Sequence, residues 1–167
     1  ANELRDYYNE LTLRFKKDWN VEFRAYNDGI AYRFVSRSKK PFNVVDETVD
    51  YRFPSDMVAS VPYVKAGKDG DYESQYFNSF ENTYTTDRLS KLNKKRLMFL
   101  PLVVDAGEGV KICITESGLE NYPGLYLSAA EGENRLTGQF APYPKKTVQG
   151  GHNQLQMLVK EREAYIA

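Results

Sequence analysis

One cysteine, one histidine and one tryptophan are spread over 167 residues. The lone Cys113 rules out a disulfide within the chain. A single thiol in an apolar run reads as a small buried hydrophobe and leaves the redox compartment open. His152, in a Gly-Gly-His-Asn loop, has no second imidazole with which to share a metal, so a solvated loop residue is expected there. Charge of one sign is also lacking: 23 basic residues balance 23 acidic ones. That argues against a nucleic-acid face, which normally carries net positive charge or a basic stripe. Lys39-Lys40, Lys94-Lys95-Arg96 and Lys145-Lys146 are short and dispersed, as solvated turns are. A membrane-crossing helix takes roughly 18 or more apolar residues in a row, and no such run exists, so no membrane span is expected. Neither a GxSxG elbow, an HExxH pair, a phosphate-binding P-loop nor a CxxC pair occurs. The chain opens on charged, tyrosine-rich sequence with no signal peptide, as a processed or excised piece would.

What is abundant is tyrosine, 13 residues of it. Tyrosine suits half-buried pleated surfaces, and it suits faces that bind sugar or protein with one apolar and one polar end. Strand signals follow from the pattern. Leu11, Leu13 and Phe15 alternate with polar residues, and so do Val21, Phe23 and Ala25, which are expected to face inward. Asn27, Asp28 and Gly29 then separate the second run from 30–35, the strongest short-range hairpin signal in the chain. Further strands are expected over 42–45, 47–53, 61–64, 83–85, 96–104, 110–115, 125–129 and 155–162. Pro101 places the 96–104 run at a sheet edge or divides it. Helix signals are weak: Asp87 could cap a turn or two carrying Leu89 and Leu92, and 1–8 could form a short helix or a frayed lead-in. Residues 67–71 read as a mobile polar loop. The reading is an all-β, antiparallel sandwich with at most short helices, one domain over 1–167.

Chemistry-bearing residues are sparse. Asp69, Asp71 and Glu73 alternate as calcium loops do, without the rest of that pattern. Asp46, Glu47 and Asp50 read as strand-face charges. Glu116 stands apart. The run Ile112-Cys113-Ile114 reads as a buried strand, and Glu116 sits at its exit before Gly118 and a second turn at Asn121-Tyr122-Pro123-Gly124. A carboxylate so placed is held by a rigid scaffold, where binding residues tend to be put. From the residues alone, a turn carboxylate that satisfies backbone N–H groups is the commoner role.

Several blocks resemble a known family. TESGLENYPGLYL, residues 115–127, is similar to the TEADL-DYPG-YL signature of glycoside hydrolase family 97. VEFRAYNDGIAYRF resembles that family's hairpin, and YNEL and EREAYIA match further blocks in the right order. The resemblance implies the N-terminal β-super-sandwich of an enzyme that cleaves α-glucosidic or α-galactosidic bonds. It implies a catalytic (β/α)8 barrel and a small C-terminal β domain elsewhere in the parent chain, and an oligosaccharide as the parent's substrate. It also implies calcium held by glutamates, most from the barrel and one from this domain. By motif that one is Glu116.

The proton-transfer carboxylates would lie in the barrel, so the resemblance assigns no catalytic residue to this chain and implies that it is inactive alone. Calcium is expected in the full-length parent and not in the isolated piece. The family's domain is longer than this chain, which implies a truncated sandwich with open edges, pairing between copies, or early strands that matter little. Export to the periplasm follows from the resemblance too. Two other readings stay open: a stand-alone carbohydrate-binding β-sandwich whose tyrosines form one stacking groove, and a structural sandwich of a cell-surface protein.

Overall fold

The computed structural model describes residues 6–130, 134–149, 155–156 and 161–167. His152 lies outside them, as do residues 1–5 of the lead-in and 157–160 of the last expected strand. The described chain is nearly all β and antiparallel, and it divides into two compact units, Ala1–Phe42 and Asn43–Ala167.

The first unit is a three-stranded meander of β1 (Asn9–Arg14), β2 (Trp19–Ala25) and β3 (Ile30–Ser36). The expected hairpin forms at 27–29, closed by the Tyr26 N–H donating to the Gly29 carbonyl at 2.8 Å. Register sets Leu11 opposite Phe23, Leu13 opposite Val21, Val21 opposite Phe34 and Phe23 opposite Tyr32. Since the side-chain period is two, all of these share one face. The opposite face carries Glu10 against Arg24 and Glu22 against Arg33, ion-paired at 3.0 and 2.7 Å. The alternation read from sequence therefore holds, but the burial does not. Val21 and Phe23 are only half-buried, Ala25 is exposed, and Ile30 at the edge of the same face is 79% exposed. Among the described residues of this unit there is no second layer, and a single three-stranded sheet cannot cover its own apolar face.

The second unit contains β4 (Asp50–Arg52), β5 (Val58–Pro62), α1 (Tyr72–Gln75), β6 (Tyr84–Arg88), β7 (Leu102–Gly107), β8 (Val110–Ile114), β9 (Leu125–Ala129) and β10 (Arg135–Phe140). Short strands β11 (Val148–Gln149) and β12 (Leu155–Gln156) pair with each other. One sheet runs β6-β5-β7-β8 and another β4-β10-β9. Ala59 and Val61 of β5, Leu102 and Val104 of β7, Leu125 and Leu127 of β9 and Leu136 of β10 join in one core. Both sheets thus contribute their apolar faces to it, as in a sandwich. A second cluster of Val64, Leu97, Phe99 and Tyr126 lies against Tyr72 and Tyr76. β9 is buried along its whole length: Leu125, Leu127 and Ala129 enter the first cluster, Tyr126 the second, and the Ser128 hydroxyl bonds that of Thr137 at 3.0 Å.

Several expectations are corrected. Residues 42–45 form no strand, although Val44 exchanges backbone hydrogen bonds with Ile166 and Ala167. The 47–53 run is a strand only over Asp50–Arg52. Pro101 divides its run, as one alternative had it, and β7 beyond it is central between β5 and β8. Asp87 is the penultimate residue of β6 and caps no helix. The 3-10 turn Leu89–Lys91 that follows is anchored by Asp56, whose carboxylate accepts from the Ser90 N–H at 2.9 Å and the Ser90 hydroxyl at 2.8 Å. β8 is an edge strand, so Cys113 is exposed. β10 was not expected at all.

Candidate functional site

Glu116 leaves β8 two residues after Ile114, the one buried residue of that strand. Gly118 and Asn121, at φ +69° and +54°, turn the following loop back. The return brings the Leu125 N–H to the carboxylate, which accepts it on both oxygens at 2.9 and 3.0 Å. A Cβ at Gly124 would stand 3.4 Å from Glu116 Oε1, in ordinary contact, so the approach does not depend on the glycine. Glu116 is half-buried. Burial pushes its carboxyl above the usual range, the Leu125 N–H opposes that, and the charge of Glu47 adds to it. Glu47 in turn accepts the Tyr122 hydroxyl at 2.7 Å. Burial first, and then this contact with Glu47, raise the Tyr122 phenol.

A carboxylate fixed by one backbone N–H keeps further lone pairs for a hard cation, so its donor chemistry fits calcium. Glu47 is the neighbouring carboxylate whose charge reaches Glu116. Among the described residues no group of three or more His, Cys, Asp or Glu side chains converges as a metal site. The backbone-satisfying role common to turn carboxylates is present in the Leu125 contact.

The other acidic candidates are not brought together. Asp69 pairs with Arg96, Asp71 caps α1 by accepting the Ser74 N–H at 3.3 Å, and Glu73 pairs with Arg162 at 2.9 Å. Asp50 pairs with Arg52 at 3.0 Å. Asp46 accepts the N–H of Glu47 at 2.9 Å in a segment that is not a strand.

A feature the sequence reading missed adjoins this loop. Tyr76, Phe77, Asn78 and Phe80 face Asn121, Tyr122, Tyr126 and Tyr143 around a groove of about 460 Å³. Its signal was the string QYFNSF at 75–80, which has no strand period. α1 ends at Gln75, whose fully buried amide anchors the string: Nε2 donates to the carbonyls of Lys68 and Lys95, and Oε1 accepts the Leu97 N–H. Asn78 accepts the Phe80 N–H at 2.8 Å and donates to the Tyr126 hydroxyl at 3.0 Å. Phe80 is thereby held at φ +55°, with its ring stacked on Tyr126 at 5.9 Å.

The family model described as glycosyl-hydrolase 97 N-terminal matches residues 1–161. Over all 167 of its residues the chain is 82% identical to a retaining alpha-galactosidase of Bacteroides thetaiotaomicron, and it spans 25% of that protein's length. With the all-β sandwich and the turn that carries Glu116 in place, the chain belongs to the glycosyl-hydrolase 97 N-terminal family.

Proposed function

We propose that this chain is the non-catalytic N-terminal portion of an α-glycoside-cleaving enzyme, an α-galactosidase of retaining stereochemistry. The observation that carries this is the 82% identity along the entire chain to a protein of that name. Retaining glycosidases place two carboxyl groups about 5–5.5 Å apart, one as nucleophile and one as acid and then base. Both would come from the catalytic barrel, within the three-quarters of the relative's length that lie outside this chain. The present chain packs on that barrel and walls one side of the substrate pocket.

Within that arrangement Glu116 supplies one calcium ligand. The Leu125 N–H orients the carboxylate. Calcium, when bound, would supply positive charge next to the sugar, and the other glutamates holding it belong to the barrel. Residence in the periplasm belongs to the same reading, and fractionation of cells that make the parent checks it.

The central test compares the parent enzyme with this chain on nitrophenyl α-galactoside. The parent is expected to turn over and the isolated chain is not. Turnover by the chain alone refutes the non-catalytic role, and an inactive parent refutes the glycosidase reading. A second reading, a carbohydrate-binding module, is favoured by one observation, the aromatic groove beside the Glu116 loop.

A further inference from the structure

We infer that the groove between the 76–80 segment and the 121–124 turn is a binding site for one hexopyranose ring. The choice of sugar as ligand rests on the glycosidase reading above, and the rest of the case is geometric. A pyranose presents a patch of C–H bonds on one face and hydroxyls around its rim. It is recognised by an aromatic ring against the face and by polar groups at the edge. Both kinds of group line this groove.

The aromatic part is Phe77, Phe80 and Tyr143, which remain 52%, 56% and 44% exposed. Phe80 is the best placed. One side of its ring stacks on Tyr126, and an edge contact with Phe99 at 5.7 Å fixes it further. The backbone that presents it lies in the left-handed region at φ +55°, an outlier for a bulky residue, and the Asn78 side chain holds it there. Strain of that kind, of order 1–3 kcal/mol, persists where the surrounding structure over-determines it and clusters at ligand clamps. The same placement lays one side of the ring on Tyr126 and Phe99 of the buried cluster and leaves the residue 56% exposed.

The polar part is Asn121 and the hydroxyls of Tyr76 and Tyr143. Among the described residues, none of these three groups makes a side-chain hydrogen bond, whereas the neighbouring Asn78, Tyr122 and Tyr126 are all engaged. Burial pushes the Tyr76 phenol up to about 12, so it stays a neutral donor across the physiological range. Donors and acceptors without protein partners beside exposed rings are what a polyol requires, and a purely apolar segment would leave them unsatisfied.

The test is a titration of the 167-residue chain with methyl α-galactoside and methyl α-glucoside, followed by amide chemical shifts. Saturable shifts confined to the 76–80 and 121–124 segments are expected, with a Kd of order 1–10 mM, as suits a single ring held by a few contacts. Phe80→Ala and Asn121→Ala should each weaken binding several-fold. Tyr76→Phe removes only an unengaged hydroxyl, so it should weaken binding at an unchanged melting temperature, which separates loss of the site from loss of the fold. No saturable shift up to about 100 mM, ten or more times the expected Kd, overturns the site. So do shifts mapping elsewhere, or affinity indifferent to all three substitutions. An inactive parent with an intact titration would sink the glycosidase reading and leave the groove standing.

Discussion

Gln75 is the most demanding side chain in the molecule. It is completely buried and meets three backbone groups, the carbonyls of Lys68 and Lys95 and the N–H of Leu97. Gln75→Leu keeps the volume and orphans the Leu97 N–H, while the carbonyls of Lys68 and Lys95 keep the backbone N–H groups of Asp71 and Gly70. One buried orphan costs about 1–3 kcal/mol, so a loss of that size in urea denaturation is expected. A loss below about 0.5 kcal/mol would mean that the Leu97 N–H finds another partner. Asp56 gives a pH signature instead. Its bonds from the Ser90 backbone and hydroxyl hold the carboxyl below the ordinary 3.8. With the folded-state pKa below the unfolded one, the contribution is fully present above the unfolded pKa and disappears as pH falls through the folded one. Wild type should therefore exceed Asp56→Asn in stability near neutral pH, and the gap should close as pH falls below the ordinary 3.8. A gap that stays constant with pH would show that the ionised form of Asp56 is not what anchors the Ser90 turn.

Elements of similar composition meet different fates in this fold. β8 and β9 are both five-residue, largely apolar strands, VKICI and LYLSA. β9 is buried throughout and β8 is mostly exposed, because β9 has a core cluster on each side and β8 is an edge with β7 as its neighbour. Composition reports that a residue can be buried, and only the partner layer decides that it is. β10 went unread for the converse reason: RLTGQF has little β character, yet it lies between β9 and β4. Gly138 there admits close packing, since a Cβ would come within 2.6 Å of the Val49 Cβ. The β1–β3 meander shows the same dependence. Its alternation was legible, but its apolar face is left open within the unit. Ile30→Lys on that face should change stability by less than about 0.5 kcal/mol, as exposed substitutions do, while raising solubility. A loss above about 2 kcal/mol in urea denaturation, the scale of a lost core contact, would show that Ile30 is covered in solution.

At the scale of the whole molecule, the calcium proposal turns on how many carboxylates one polypeptide assembles. Calcium takes about 6–8 oxygens, and Glu116 offers two. The isolated chain should therefore bind calcium no more tightly than about millimolar by calorimetry. The parent should be protected thermally by calcium, and Glu116→Gln should raise the calcium needed at least about tenfold. Tight stoichiometric binding by the isolated chain, or an unchanged midpoint in the variant parent, contradicts the assignment. The sequence by itself determined the all-β class, the 27–29 hairpin and the family, because strand period, turn residues and motif order are local properties of the chain, and it left Pro101 open between a sheet edge and a divided run. It also marked Glu116, since a carboxylate between a strand and a glycine turn can be read from neighbours. Tertiary structure alone decided that Leu125 holds that carboxylate, that Cys113 is exposed, and that 76–80 and 121–124 enclose an aromatic groove. Those outcomes depend on which segments, tens of residues apart, come within a few ångströms, and a local pattern carries no information about that distance.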